Sequence, residues 1–160
     1  MTGRTWLRSA ACAAALVAAA CGATRTEPKA DMKIITHGQK VDLAANLAPG
    51  KYTVVDFYAS WCPPCRLLGP ALERLAAAEN SRLALRKVDI VDWTMPVVDQ
   101  YQIEALPHLK LFGPDGKQVA DGDAVFQSLL TIFGESAREV GETGAAIGGA
   151  TPPEKDGGVL

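Results

Sequence analysis

Cysteine is scarce in this 160-residue chain, with four in all, and histidine is scarcer, with two. Cys12 and Cys21 fall in an alanine-rich start, so only Cys62 and Cys65 remain for a folded body. A bridge closing so tight a loop constrains little of the unfolded chain, which excludes a disulfide-stapled scaffold. Four-coordinate zinc held by Cys62 and Cys65 would need two more ligands, and only His37 and His108 are on offer. Positive charge is not in excess either. The formal charge is −2, and setting aside Met1–Ala20 removes Arg4 and Arg8, leaving 14 basic against 18 acidic residues. That balance gives no basic face for nucleic acid. No apolar run approaches the roughly 20 residues of a membrane-spanning helix, and no internal repeat is present.

The start of the chain reads as an export signal. Arg4 and Arg8 form a positive n-region, and Ser9–Ala20 is apolar but too short to span a bilayer. The run Ala18-Ala19-Ala20-Cys21-Gly22 resembles a bacterial lipobox, with Ala18 where leucine is usual. Lipidation of Cys21 would anchor the protein on the periplasmic face of a membrane. The other outcome is an ordinary signal peptide cut after Ala20, leaving a soluble exported protein. The expected organisation is a signal peptide over 1–20, a tether over 21–31, one domain over 32–135 and a disordered tail over 136–160.

Within the domain, β-branched and aromatic runs alternate with helical periodicity. Lys33–Thr36, Thr53–Tyr58, Leu83–Ile90, Leu109–Phe112 and Lys117–Ala120 read as strands. Val41–Leu47 reads as a short helix stopped by Pro49-Gly50, and Pro96–Tyr101 as another. Leu67, Leu68, Ala71, Leu72 and Leu75 mark one buried helix face, in a helix beginning near Arg66 and kinked at Pro70. Ala124–Phe133 reads as a closing helix capped by Asp123 and Gly134. Alternation of this kind specifies an α/β fold: a central mixed sheet with helices on both faces, its later edge made antiparallel by a hairpin.

The chemistry centres on Trp61-Cys62-Pro63-Pro64-Cys65-Arg66, at a junction from strand to helix. Two cysteines so spaced can close a disulfide across one helical turn. The first then sits at the helix N-terminus, where free N–H groups and the macrodipole favour a thiolate. The same spacing also suits half a metal site. Asp56 lies inside an otherwise apolar run, either buried or at a strand edge facing water and paired with Lys87.

Taken together these motifs resemble the thioredoxin family over roughly Lys33–Phe133. Val55–Arg66 follows that family's active-site segment, and Pro70 falls where it has a helix proline. Tyr101–Pro107 matches the segment leading to the family's cis-proline, and Lys87 falls where it has a lysine beside a buried aspartate. Pro63-Pro64 replaces the usual Gly-Pro, and His108 replaces a threonine. The resemblance implies a thioredoxin fold and a thiol–disulfide oxidoreductase without a bound cofactor. Its substrates would be protein thiols and disulfides, and a second redox protein would exchange electrons with it. Cys62 would be the nucleophile at an exposed helix start, and Cys65, more buried, would resolve the mixed disulfide. Asp56 with Lys87 would relay the proton of Cys65. Trp61, Pro63, Pro64, Leu106, Pro107 and His108 would frame the substrate, with His108 as a pH-sensitive neighbour of the dithiol. The likeness of Leu106-Pro107 and of the Asp56/Lys87 pair to thioredoxin favours reduction over oxidation. The alternative is a non-catalytic module of the same fold that holds a client, or handles copper through Cys62, Cys65 and His108.

Overall fold

A computed structural model of the chain describes residues 29–147. The expected signal peptide, Cys21, the expected tether up to residue 28 and residues 148–160 lie outside the described residues. Five strands form one sheet: β1 (Met32–His37), β2 (Tyr52–Tyr58), β3 (Leu83–Asp89), β4 (His108–Phe112) and β5 (Gln118–Asp121). Their order is β1-β3-β2-β4-β5. β3 runs parallel to both β1 and β2, while β4 is antiparallel to β2 and β5 to β4. Helix α1 (Pro63–Ala78) joins the parallel pair β2 and β3, and α2 (Pro96–Tyr101) leads towards β4. Helices α3 (Ala124–Phe133) and α4 (Arg138–Ala146) close the described chain.

Alternation along β2 sorts the core into two layers, because successive side chains leave opposite faces of a strand. Val54 packs with Leu68, Leu72 and Leu75 of α1, and with Leu129 and Phe133 of α3. Val55 and Phe57 face the other way, against Leu43, Val88, Val97, Ile103 and Leu106. Truncating a side chain such as Leu72 to alanine costs about 2–5 kcal/mol in a packed layer of this kind.

Several local expectations are corrected. α1 begins at Pro63 rather than near Arg66, since the first turn needs no N–H donors there and accepts both prolines. Pro70 lies inside the helix without ending it. Leu67 is 64% exposed, because the inward stripe runs through Leu68, Leu72, Leu75 and Ala76 and leaves Leu67 on the outer face. Only a 3-10 turn, Ala44–Asn46, forms within the expected helix Val41–Leu47; the Asp42 carboxylate accepts the Ala44 N–H at 2.9 Å and makes a local turn instead. Asp123 makes no side-chain cap on α3, whereas Gly134 ends that helix with φ +57°.

The largest correction concerns the tail. Gly134–Ala137 forms a 3-10 turn and Arg138–Ala146 a helix, where disorder was expected from residue 136. Few large apolar residues are present, yet Ala137 and Val140 are fully buried. Gly141 and Gly144 let the helix backbone approach α3 closely: a Cβ at either would meet Leu130 at 2.8 Å or Phe126 at 2.5 Å. A two-toothed ion pair between Arg74 and Glu139 ties the same helix to α1. Small residues are here the means of burial, so a count of large apolar ones misses the helix.

Candidate active site

β2 delivers the chain to the start of α1 through a turn in which the Cys62 N–H donates to the Ala59 carbonyl at 3.1 Å. Cys62 is the N-cap, with extended backbone, and Pro63 and Pro64 fill the first two helical positions. Cys62 and Cys65 are joined in a disulfide, their Cα atoms 5.3 Å apart. The Cys65 N–H donates to the Cys62 Sγ at 3.2 Å. A helix N-terminus with an N–H aimed at that sulfur would stabilise its thiolate once the bond is reduced.

Cys62 is not exposed in this oxidised form, as the sequence reading had it. It is 0% exposed against 6% for Cys65, so the expected order of burial is reversed. The reason lies in the packing: both cysteines belong to the cluster of Val55, Phe57, Ala59 and Leu106, but Cys65 also borders an open cavity. Trp61 is 42% exposed beside the pair. Its indole N–H donates to the Val91 carbonyl at 2.6 Å, and its ring lies 5.8 Å from that of Trp93. Val91 holds φ at +63°, an unusual conformation for a β-branched residue, with its N–H donated to Asp89 at 2.9 Å. Neither the contact with Trp93 nor the Val91 anchor is evident in the sequence.

On the α1 face of the sheet, two residues along β2 from Val54, Asp56 is 2% exposed. Burial is the main cause that pushes its carboxyl up to about 7; the positive charge of Lys87 opposes this and the negative charge of Glu73 adds to it. Lys87 lies directly opposite Asp56 in the β2–β3 register. Its ammonium is hydrogen-bonded to Glu73 at 2.8 Å and lies 4.7 Å from the centre of the Tyr58 ring. Lys87 and Cys65 line one cavity of about 300 Å³ with Tyr58, Arg66, Gly69 and Pro70. The water-facing reading of Asp56 does not hold, and Glu73 is a member of the site that sequence reasoning missed.

The Leu106–Pro107 peptide bond is cis. The Leu106 side chain is wholly buried, so only its backbone can meet a substrate. Pro107 and His108 line a second cavity of about 300 Å³ with Glu104, Asp123 and Ile147. His108 is seated on Asp121 through its Nε2 at 2.7 Å and edge-on to Phe57 at 5.9 Å. A copper site of Cys62, Cys65 and His108 is therefore not assembled. The sulfurs are bonded to each other, the imidazole is held by Asp121, and among the described residues no three His, Cys, Asp or Glu side chains form a metal-holding group.

A disulfide at a helix start on a mixed sheet, in a domain that also buries a carboxyl, defines a dithiol–disulfide exchange protein. Comparison with known proteins gives the family. Residues 34–130 match the family model described as thioredoxin. A thioredoxin-like protein of Fusarium culmorum is 38% identical over 111 residues, covering 68% of this chain and 85% of the relative. A thioredoxin of Mycoplasmoides gallisepticum is 41% identical over 86 residues, covering 54% of this chain and 81% of its own. The solved Malassezia sympodialis thioredoxin aligns with a TM-score of 0.49 at 22% identity, over 65% of this chain and 91% of that one. The chain belongs to the thioredoxin family and is a thiol–disulfide oxidoreductase.

Proposed function

We propose that this protein reduces disulfides of protein substrates outside the cytoplasm through the Cys62–Cys65 pair. The observation that carries the reading is the N-cap position of Cys62, with the Cys65 N–H aimed at its sulfur. In the reduced protein the Cys62 thiolate attacks one sulfur of a substrate disulfide. A Cys62–substrate bond forms and the other substrate sulfur leaves as thiolate. Cys65 then gives its proton to the Asp56 carboxylate, attacks the Cys62 sulfur and expels the second substrate thiolate. The substrate ends reduced and the pair oxidised, and a second redox protein restores the dithiol. Trp61 and the backbone at Leu106-Pro107 frame the approach of the substrate chain. Export is supported by Arg4, Arg8 and the short apolar run after them, and anchoring by the small residues before Cys21.

The reduced full chain is tested by alkylation with iodoacetamide near pH 7 and by partner capture with Cys65→Ser. The expected result is rapid modification at Cys62, slow modification at Cys65, and mixed disulfides to Cys62 in the capture. Modification confined to Cys65, or no reduction of insulin by the wild-type dithiol, contradicts the reading. Incorporation of labelled palmitate that Cys21→Ala abolishes is the expected outcome for the anchor; a protein found only in the soluble fraction rejects it.

A further inference from the structure

Lys87 has two carboxylates within its reach and makes its hydrogen bond to only one of them. Its ammonium donates to Glu73 Oε1 at 2.8 Å, on α1, although Asp56 is its register partner on β2. The ammonium passes close over α1 in this posture: a Cβ at Gly69 would stand in ordinary contact with the Lys87 Nζ, at 3.5 Å. The Tyr58 ring, 4.7 Å away, supports the ammonium from β2. Lys87 is mostly buried and Glu73 partly exposed, so the ion pair sits at the wall of the cavity that also reaches Cys65.

We propose that Glu73 is a positioning residue for the proton acceptor of the dithiol: it holds the Lys87 ammonium on α1, so that the Asp56 carboxyl is left without a hydrogen-bonded cation on the Cys65 side of the sheet. This rests on the relay reading given above. The step served is the transfer from the Cys65 thiol to Asp56 as Cys65 attacks the mixed disulfide. A carboxylate locked to an ammonium is a weaker base than one that only feels the charge through space. The charged groups that act on Asp56 are Lys87 on β3 and Glu73 on α1; Tyr58 on β2, with Asp89 on β3 acting on it in turn, and Cys65 and Arg66 on α1 surround the same Lys87 ammonium or its cavity. Of the three groups from α1, Glu73 is the one hydrogen-bonded to the neighbouring cation.

The test follows the Asp56 carboxyl by carbon NMR from pH 4 to 9 in the oxidised full chain, for wild type, Glu73→Gln, Lys87→Met and the double variant. Removing the negative charge and releasing Lys87 both act in one direction. Glu73→Gln should therefore lower the Asp56 midpoint by about half a pH unit or more. In the Lys87→Met background the same substitution should move it by less than half as much, since no cation remains to be released. A midpoint unchanged by Glu73→Gln, or an equal shift in both backgrounds, overturns the proposal. The single-turnover reaction of the reduced protein with insulin, read by tryptophan fluorescence across pH, separates this from the relay itself. There Glu73→Gln should move the acid limb to lower pH, and Asp56→Asn should remove its contribution. A profile that Asp56→Asn leaves intact rejects the relay while the NMR result still decides the placement of Lys87.

Discussion

Asp31 and Asp121, linked to cations on one face of the sheet, and Asp56 on the other all have positive neighbours, with opposite results. Arg86 and Lys110 both pair in register with Val55, so they share its face. Arg86 donates to Asp31 at 3.0 Å, as does Lys51, and Lys110 donates to Asp121 at 2.6 Å beside His108. Burial pushes both of these carboxyls up, but hydrogen bonds from Lys51 and Arg86, and from Lys110 and His108, outweigh it and hold them below the usual range. On the α1 face, burial wins at Asp56, because the nearby ammonium is engaged by Glu73. Matched pairs of this kind hold a domain together, while an unmatched buried carboxyl costs stability and gains a proton affinity useful near neutral pH.

The largest effect expected from this contrast is at Asp56. Its folded value of about 7 lies above its usual 3.8, so the folded state binds the extra proton and stability falls as pH rises between those values. Asp56→Asn should stabilise the protein by up to the order of 4 kcal/mol above pH 7, with little gain below pH 4. Urea unfolding at pH 4 and pH 8 measures it, and a gain of equal size at both would break the contrast. The same variant should slow release from the mixed disulfide near neutral pH.

Arg86→Leu acts in the opposite sense. Arg86 is buried and also donates to the Asn46 carbonyl at 2.8 Å, so its loss leaves Asp31 and that carbonyl short of a partner. A loss of about 3 kcal/mol in urea unfolding is expected, with insulin reduction by the folded protein preserved. The smallest effect is at Asp121, which is more exposed. Asp121→Asn should cost about 1 kcal/mol at pH 7 and nothing at pH 2. The sign follows from a lowered carboxyl, whose stabilisation is present above the usual value near 3.8 and is lost as pH falls through its folded value.

Much of the fold was legible because its signals are local. The β-branched and aromatic run Thr53–Tyr58 and the helical stripe Leu68, Leu72, Leu75 are each written within one short segment. The dithiol was legible for the same reason, being six consecutive residues at a strand end. Packing between distant segments was not. The helix after Arg138 depends on glycines that meet Leu130 and Phe126 across space, and composition alone reads such glycines as flexible. The Glu73–Lys87 contact spans α1 and β3, and the cover over Cys62 comes from residues drawn from Val55 to Leu106.

Asp56 is a buried carboxyl whose proton is poised near neutral pH. Titration of its carboxyl carbon in the oxidised wild-type chain tests this most directly. A midpoint at about 7 is the expected result. A midpoint near 4, the value of a hydrated or ion-paired aspartate, would contradict the account.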